Sequence, residues 1–395
     1  MSDEPTPPAP LPEGKGGTEE EPNPATPFPK REGGARETAA LSPSPRPGPR
    51  EAPLTGPGRE PGGVGEGASP SSPLPSGRGA WGGGPRRPAV SVVMAAKNYA
   101  RFLPEAVGSV CAQTFTDWEL LVIDDGSTDD TPGAIRPYLA DRRVRYVRSD
   151  ALGQVRAKNL GVALSRAALV AFLDADDAWE PTKLEKQLAV FDRHPDVGVV
   201  FSRRALMDET GRPIAIKAPI EPYRGRVLPH LFTQNFVCFS SAVVRRHVLS
   251  HVGRFDPQWD LAIDYDLWLR IAKFHRFEFV DEVLVRYRTG HGNLSKRLRD
   301  RVDIAMSIMF RAETRHGLAQ NVPAEVIADG YASTCQTLGF VLRGNEPAAS
   351  VRWYLRALKW PARRAVSLKG VVAGALAALR GARAAGAPEN ARANL

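Results

Sequence analysis

The chain has 395 residues, with 35 prolines, three cysteines and a formal net charge of +9. That length permits one large domain or two smaller ones. Cys111, Cys238 and Cys335 lie far apart, which excludes a zinc-finger spacing or a disulfide framework and suits a reducing compartment.

More than half of the prolines precede Pro88, in a stretch rich in Gly, Ser and Glu with few large apolar residues. Such a segment buries too little surface to offset its ordering entropy, so 1–88 is predicted to be a disordered tail. Acids and bases nearly balance there, so the positive charge belongs to the remainder. A basic folded region suits phosphate-bearing ligands, nucleic acid or an anionic membrane surface. No basic stripe interleaved with aromatics is present, and no nucleic-acid partner is expected. No basic-then-apolar leader opens the sequence. No apolar run reaches the roughly 20 residues of a membrane helix. A cytoplasmic protein is predicted, peripheral at most, with the inner membrane face as the surface it would touch.

After Pro88 the pattern changes. Residues 89–94 form a short β-branched run of the kind found in buried strands. Apolar residues three and four apart predict a helix over 102–112. A strand at 119–123, a helix at 131–139, a strand at 144–147, a helix at 155–165 and a strand at 169–173 follow. This alternation predicts an α/β fold, a mostly parallel central sheet flanked by helices. A further strand is expected at 197–201, an irregular stretch over 202–239, and helices at 245–252 and 264–273. From 294 onward the sequence reads as helical, a C-terminal helical appendage to the core. The organisation expected is a tail over 1–88, a catalytic domain over 89–315 and a helical region over 316–395.

Ligands of such sheets collect at the carboxyl ends of strands. The second strand ends in Asp124-Asp125-Gly126-Ser127. Its carboxylates can accept hydrogen bonds from a base or ribose, although an ordinary Asx-capped turn uses the same residues. The fourth ends in Asp174-Ala175-Asp176-Asp177. Three acids in four residues repel one another unless a cation neutralises them, and Mg²⁺ or Mn²⁺ held through one or two carboxylates would also grip a diphosphate. Between them, Gly153 to Asn159 opens a helix with Arg156 and Lys158 close by, which is either an anion site or a solvated basic turn. Asp264 and Asp266 begin an amphipathic helix, where acids serve as caps or one serves as a general base. Tyr287-Arg288 and His291, Asn293 and Ser295 form a polar cluster after an apolar strand.

Taken in this order, the motifs resemble the family 2 glycosyltransferases with the GT-A fold, over about 89–315. The resemblance implies metal-dependent, inverting transfer of a sugar from a nucleotide diphosphate-sugar donor, a UDP-sugar foremost. Asp125 would bind the donor's base and Arg156 the nucleotide. Asp174 would sit near the ribose and, with Asp176, at the Mg²⁺ or Mn²⁺. Asp264 would be the general base, and His291 would complete the metal or phosphate contacts. Members often carry a hydroxyl and an aromatic in the first-strand loop, where this chain has Ala95-Ala96-Lys97-Asn98, so Lys97 and Asn98 would take part in holding the donor. Many also place an acid directly before the base, where Ile263 stands here. The acceptor class implied is a saccharide, a lipid-linked sugar or a small molecule, as in polysaccharide biosynthesis. The alternative is a degenerate GT-A scaffold that binds partners through its Pro-rich tail.

Overall fold

The computed structural model describes residues 87–216, 220–290 and 298–386. All but the last two residues of the expected tail, and His291, Asn293 and Ser295, lie outside the described residues.

Strand β1 (Val90–Ala96) leads to helix α1 (Leu103–Cys111), β2 (Trp118–Asp124), α2 (Thr131–Ile135), β3 (Val144–Arg148), α3 (Gln154–Leu164) and β4 (Leu169–Phe172). These follow the predicted alternation. The helix expected over 131–139 is only α2, continued by a 3-10 turn over Arg136–Ala140 that contains Pro137. Proline has no N–H for the α ladder.

Beyond β4 the chain adds β5 (Ala178–Trp179), α4 (Lys183–Arg193), β6 (Val197–Met207) and β7 (Pro213–Ile214). Helix α5 (Leu228–Thr233), β8 (Val243–Arg245), α6 (Arg246–Val252), α7 (Ile263–Ala272) and β9 (Arg276–Arg288) follow. The stretch expected to be irregular is therefore partly ordered: β6 runs on to Met207, and α5 lies within it.

The nine-stranded sheet has the order β3-β2-β1-β4-β8-β6-β9-β5, with β7 beside β6. Strands β1 to β4 run parallel, β6 and β9 share their direction, and β8, β5 and β7 oppose it. The order reverses between β1 and β4, which places a topological switch point beyond Ala96 and Phe172.

Both faces of the central strands are covered. On one, Val93, Leu121, Ile123, Val170 and Phe172 pack with α3 and α7. On the other, Val92, Met94, Leu120, Val122, Leu169 and Ala171 pack with α1 and α4. Alternate residues thus point to opposite cores. Helix α3 lies close to β1, because a Cβ on Gly161 would fall 2.4 Å from the Val93 side chain.

The C-terminal region is helical, as expected: α8 (Leu298–Thr314), α9 (Ala324–Leu342), α10 (Pro347–Ala357) and α11 (Arg364–Gly386). Among the described residues no helix is long and apolar enough to cross a membrane. The three cysteines are free.

Candidate active site

The acidic loop begins where β4 leaves the sheet, so its position follows from the apolar run that ends at Leu173. Asp177 is wholly buried and serves the loop itself. One of its oxygens accepts from the Ser240 hydroxyl, and the other accepts from the Arg288 backbone N–H at 2.9 Å. The Ser240 hydroxyl in turn accepts from the Asp174 N–H at 3.1 Å. The Arg288 guanidinium donates to the Asp176 carbonyl at 2.8 Å and to the Glu105 carboxylate. The loop is therefore fastened from β9 and from the turn before β8.

Asp174 is the most accessible of the three acids, and its Oδ1 lies 2.7 Å from the buried Lys158 ammonium. Lys158 also sits 3.8 Å from the centre of the Phe239 ring. The basic pair at the start of α3 is thereby divided. Residues two apart on a helix face different directions: Arg156 is exposed to solvent, whereas Lys158 turns inward to Asp174.

Burial, and then the Asp174 charge, pushes the Asp176 carboxyl up to about 7, against the opposing pull of its own N–H, Lys158 and Arg288. Burial also holds the Asp177 carboxyl well above the carboxylate range, with the Asp176 and Asp174 charges adding to it. Tyr99, in the loop after β1, is shifted upward by burial and then by Asp176, Asp174 and Asp177. Tyr287 is shifted the same way, by burial and then by Asp177, Cys238, Asp174 and Asp176. Arg204 of β6 faces this cluster. Burial lowers its pKa, but Cys238, Tyr287 and Asp177 outweigh that and raise it.

These residues fit a hard divalent cation of the Mg²⁺ or Mn²⁺ type. Their donors are carboxylate oxygens, and burial with the Asp174 charge disfavours the ionised form of Asp176, which a cation would favour. Among the described residues no group of three or more His, Cys, Asp or Glu is placed to hold a metal ion by itself.

Asp125, 2% exposed, accepts from the Gly153 N–H at 3.0 Å and from the Ser149 hydroxyl at 3.3 Å. The Lys97 ammonium is 3.9 Å away. A carboxylate has about four acceptor positions, so these contacts leave room for one more donor. Gly126 makes the turn possible, with φ of 71° and the Ala151 N only 2.9 Å from where a Cβ would stand. Asn98 has φ of 61°. Its Oδ1 accepts from the Thr128 N–H at 2.7 Å, and its own N–H donates to Ser127 Oγ. Asn98 thus ties the loop after β1 to the loop after β2. Asp124 is buried, and burial alone would raise its pKa. Donors from Ser127 and Tyr146, with Arg148 nearby, lower it instead.

Asp264 lies half-buried in the first turn of α7, and its Oδ2 accepts from Asn235 Nδ2 at 3.1 Å. Asp266 is a different kind of acid. It is buried, and Arg270 holds it at 2.7 Å while also donating to the carbonyls of Val252, Gly253 and Arg254. That network anchors α7 to the loop before it. The segment from Asn235 to Ser240 joins the two acidic sites, and its five steps from residue to residue span at most about 18 Å. Asp264 and the Asp174–Asp177 loop are held by two ends of one short segment. Asn235 and Arg204 lie in the region without a readable pattern and Ser240 just beyond it, where no sequence signal marked them. His291 is not among the described residues, so its expected metal contact has no observed position.

The sequence model of Glycosyl transferase family 2 matches residues 91–253. An uncharacterized glycosyltransferase of Methanocaldococcus jannaschii is 30% identical over 208 residues, 51% of this chain and 71% of that one. The chondroitin synthase of Escherichia coli is 28% identical over 208 residues, which are 52% of this chain and only 30% of the synthase. Among solved structures, S. aureus TarS 1–349 in complex with UDP-GlcNAc superposes with a TM-score of 0.52 at 16% identity, covering 70% of this chain and 82% of that one. The fold is thus GT-A, and the chain is a glycosyltransferase that belongs to family 2.

Proposed function

We propose that the chain moves a sugar from a nucleotide diphosphate-sugar to an acceptor hydroxyl with inversion at the anomeric carbon. The observation that carries this reading is the Asp174–Asp177 loop at the switch point, with Asp176 and Asp177 buried beside the more accessible Asp174, linked through Asn235–Ser240 to the half-buried Asp264. In this reading Asp125, with Lys97 beside it, meets the donor's base, and the exposed Arg156 meets the nucleotide. Asn98 holds the shape of that donor loop. Asp176, with Asp174, holds Mg²⁺ or Mn²⁺, which when bound offsets charge on the departing diphosphate. Asp264 takes the acceptor's proton as its oxygen bonds to the anomeric carbon. The bond from that carbon to the diphosphate breaks, and its electron pair leaves with the nucleotide.

A UDP-sugar is the favoured donor, supported by the UDP-GlcNAc bound to TarS, whose fold this chain shares. A saccharide acceptor is favoured by the similarity to a chondroitin synthase. We assign 89–315 to the transferase domain and 316–395 to its helical appendage. Free cysteines suit a cytoplasmic location.

The test is release of nucleotide diphosphate from UDP-, GDP- and dTDP-sugars, with Mn²⁺ or Mg²⁺ against EDTA. Turnover of one donor that disappears in EDTA and in Asp176→Ala supports the reading. Absence of both turnover and metal-dependent donor binding would replace it with the scaffold.

A further inference from the structure

The last two helices carry a surface that the transfer chemistry does not use. Helix α11 packs on α10 through Gly370 and Gly374 and on α9 through the buried Ser367, which accepts from Gln336: a Cβ on Gly370 would fall 2.2 Å from the Tyr354 ring, and one on Gly374 would fall 2.9 Å from Val351. An α-helix turns about 100° per residue, so positions 368, 372, 376 and 379 share the opposite side. They are Leu368, Val372, Leu376 and Leu379, each more than half exposed. Arg364 borders this stripe on one side, and Lys369 and Arg380 border it on the other. Amphipathic helices that lie in a membrane interface combine such an apolar stripe with cationic flanks.

Charge points the same way. Residues 343–386 hold nine Arg and Lys and one acid, Glu346, against a net charge of +9 for the whole chain. Glu346 is itself paired with Arg299. A second copy docking through the same stripe would bring two such cationic segments together, whereas an anionic surface would neutralise them.

We propose that α11 rests on an anionic lipid surface, with Leu368, Val372, Leu376 and Leu379 among the acyl chains and Arg364, Lys369 and Arg380 at the headgroups. This inference is independent of the donor reading, because it rests on residues outside the acidic site.

The test is flotation of the full chain with phosphatidylglycerol–phosphatidylcholine vesicles and with phosphatidylcholine alone. At least tenfold more protein should float with the anionic vesicles. The difference should vanish in about 0.5 M NaCl, where the Debye length falls below about 5 Å. Val372→Glu/Leu376→Glu, whose side chains face solvent, should keep its thermal midpoint and lose flotation, and Lys369→Ser/Arg380→Ser should weaken it severalfold. Equal flotation of the wild type and the Val372→Glu/Leu376→Glu variant overturns the proposal. So does a wild type that stays with the unbound fraction. A dimer in sedimentation equilibrium that the same variant dissociates, without flotation, assigns the stripe to a second copy instead.

Discussion

The Lys158 ammonium lies 2.7 Å from Asp174 Oδ1 and directly over the Phe239 ring, so a helix residue supplies the counter-charge of the acidic loop from beneath. Burial and the Asp174 charge set Asp176 apart, pushing its carboxyl up to about 7. Replacing Lys158 by Met should cost about 2 kcal/mol of stability, in line with hydrogen bonds to charged groups. It should also weaken donor binding, because Asp174 loses its fixed position. Chemical denaturation and donor titration check both effects.

The neighbouring acids should separate in behaviour. Asp176→Ala removes a repelling buried charge, so it should fold at least as stably as the wild type while losing about 100-fold or more in donor turnover. Asp177→Ala leaves the Ser240 hydroxyl and the Arg288 N–H without their acceptor, and should destabilise by roughly 2–4 kcal/mol. Comparable melting points for the two variants would contradict this division.

The pH dependence follows from the same pair. The folded-state pKa of Asp176 and of Asp177 lies above the ordinary carboxylate value, so protonation favours the folded chain. That contribution is complete below about pH 4. It is lost as pH rises through the folded value, about 7 for Asp176. A divalent cation requires the ionised form. Manganese should therefore raise the melting point by about 2–4 °C at pH 8, and barely at pH 5. Thermal scans at the two pH values, with Mn²⁺ and with EDTA, measure the difference.

Asn235 Nδ2 donates to Asp264 Oδ2 at 3.1 Å and so fixes the carboxylate's orientation. Asn235→Ala should lower kcat for transfer about tenfold with little change in the donor KM, since it frees the carboxylate to rotate without touching the donor. Asp264→Asn should lower kcat by about 100-fold or more, since a general base contributes on the order of 10²–10⁴. A rise in donor KM without a fall in kcat would place Asp264 elsewhere in the reaction.

Lys183 offers a stability test far from the chemistry. It is wholly buried, with its ammonium 2.6 Å from Gln187 Oε1 and 3.9 Å from the centre of the Trp179 ring. Burial drives its pKa well below that of an ordinary lysine. Lys183→Met, of similar volume, should remove the cost of stripping a proton from the lysine on folding at neutral pH, offset by the Gln187 Oε1 that loses its donor. The gain should shrink as pH rises toward the ordinary lysine value, where the unfolded chain no longer gains by protonation. Denaturant midpoints at pH 7 and pH 10 measure it.

The sequence by itself determined the α/β core, because β1, β2 and β4 are buried on both faces and so read as unbroken apolar runs. It also determined that carboxylates would follow β2 and β4, since the chemistry of a strand's end is written in the residues next to it. The far half of β6 was not legible. Arg203, Arg204 and Ala205 are only partly buried, so no apolar period marks them as strand. Only the tertiary structure decided which partners hold each acid. Asp174, Asp176 and Asp177 look alike in sequence, as do Asp264 and Asp266, until Lys158, Ser240, Arg288, Asn235 and Arg270 arrive from distant elements. Those partners are set by how β8, β9, α3 and α7 pack, and a polar contact between distant segments leaves no local period from which to infer it.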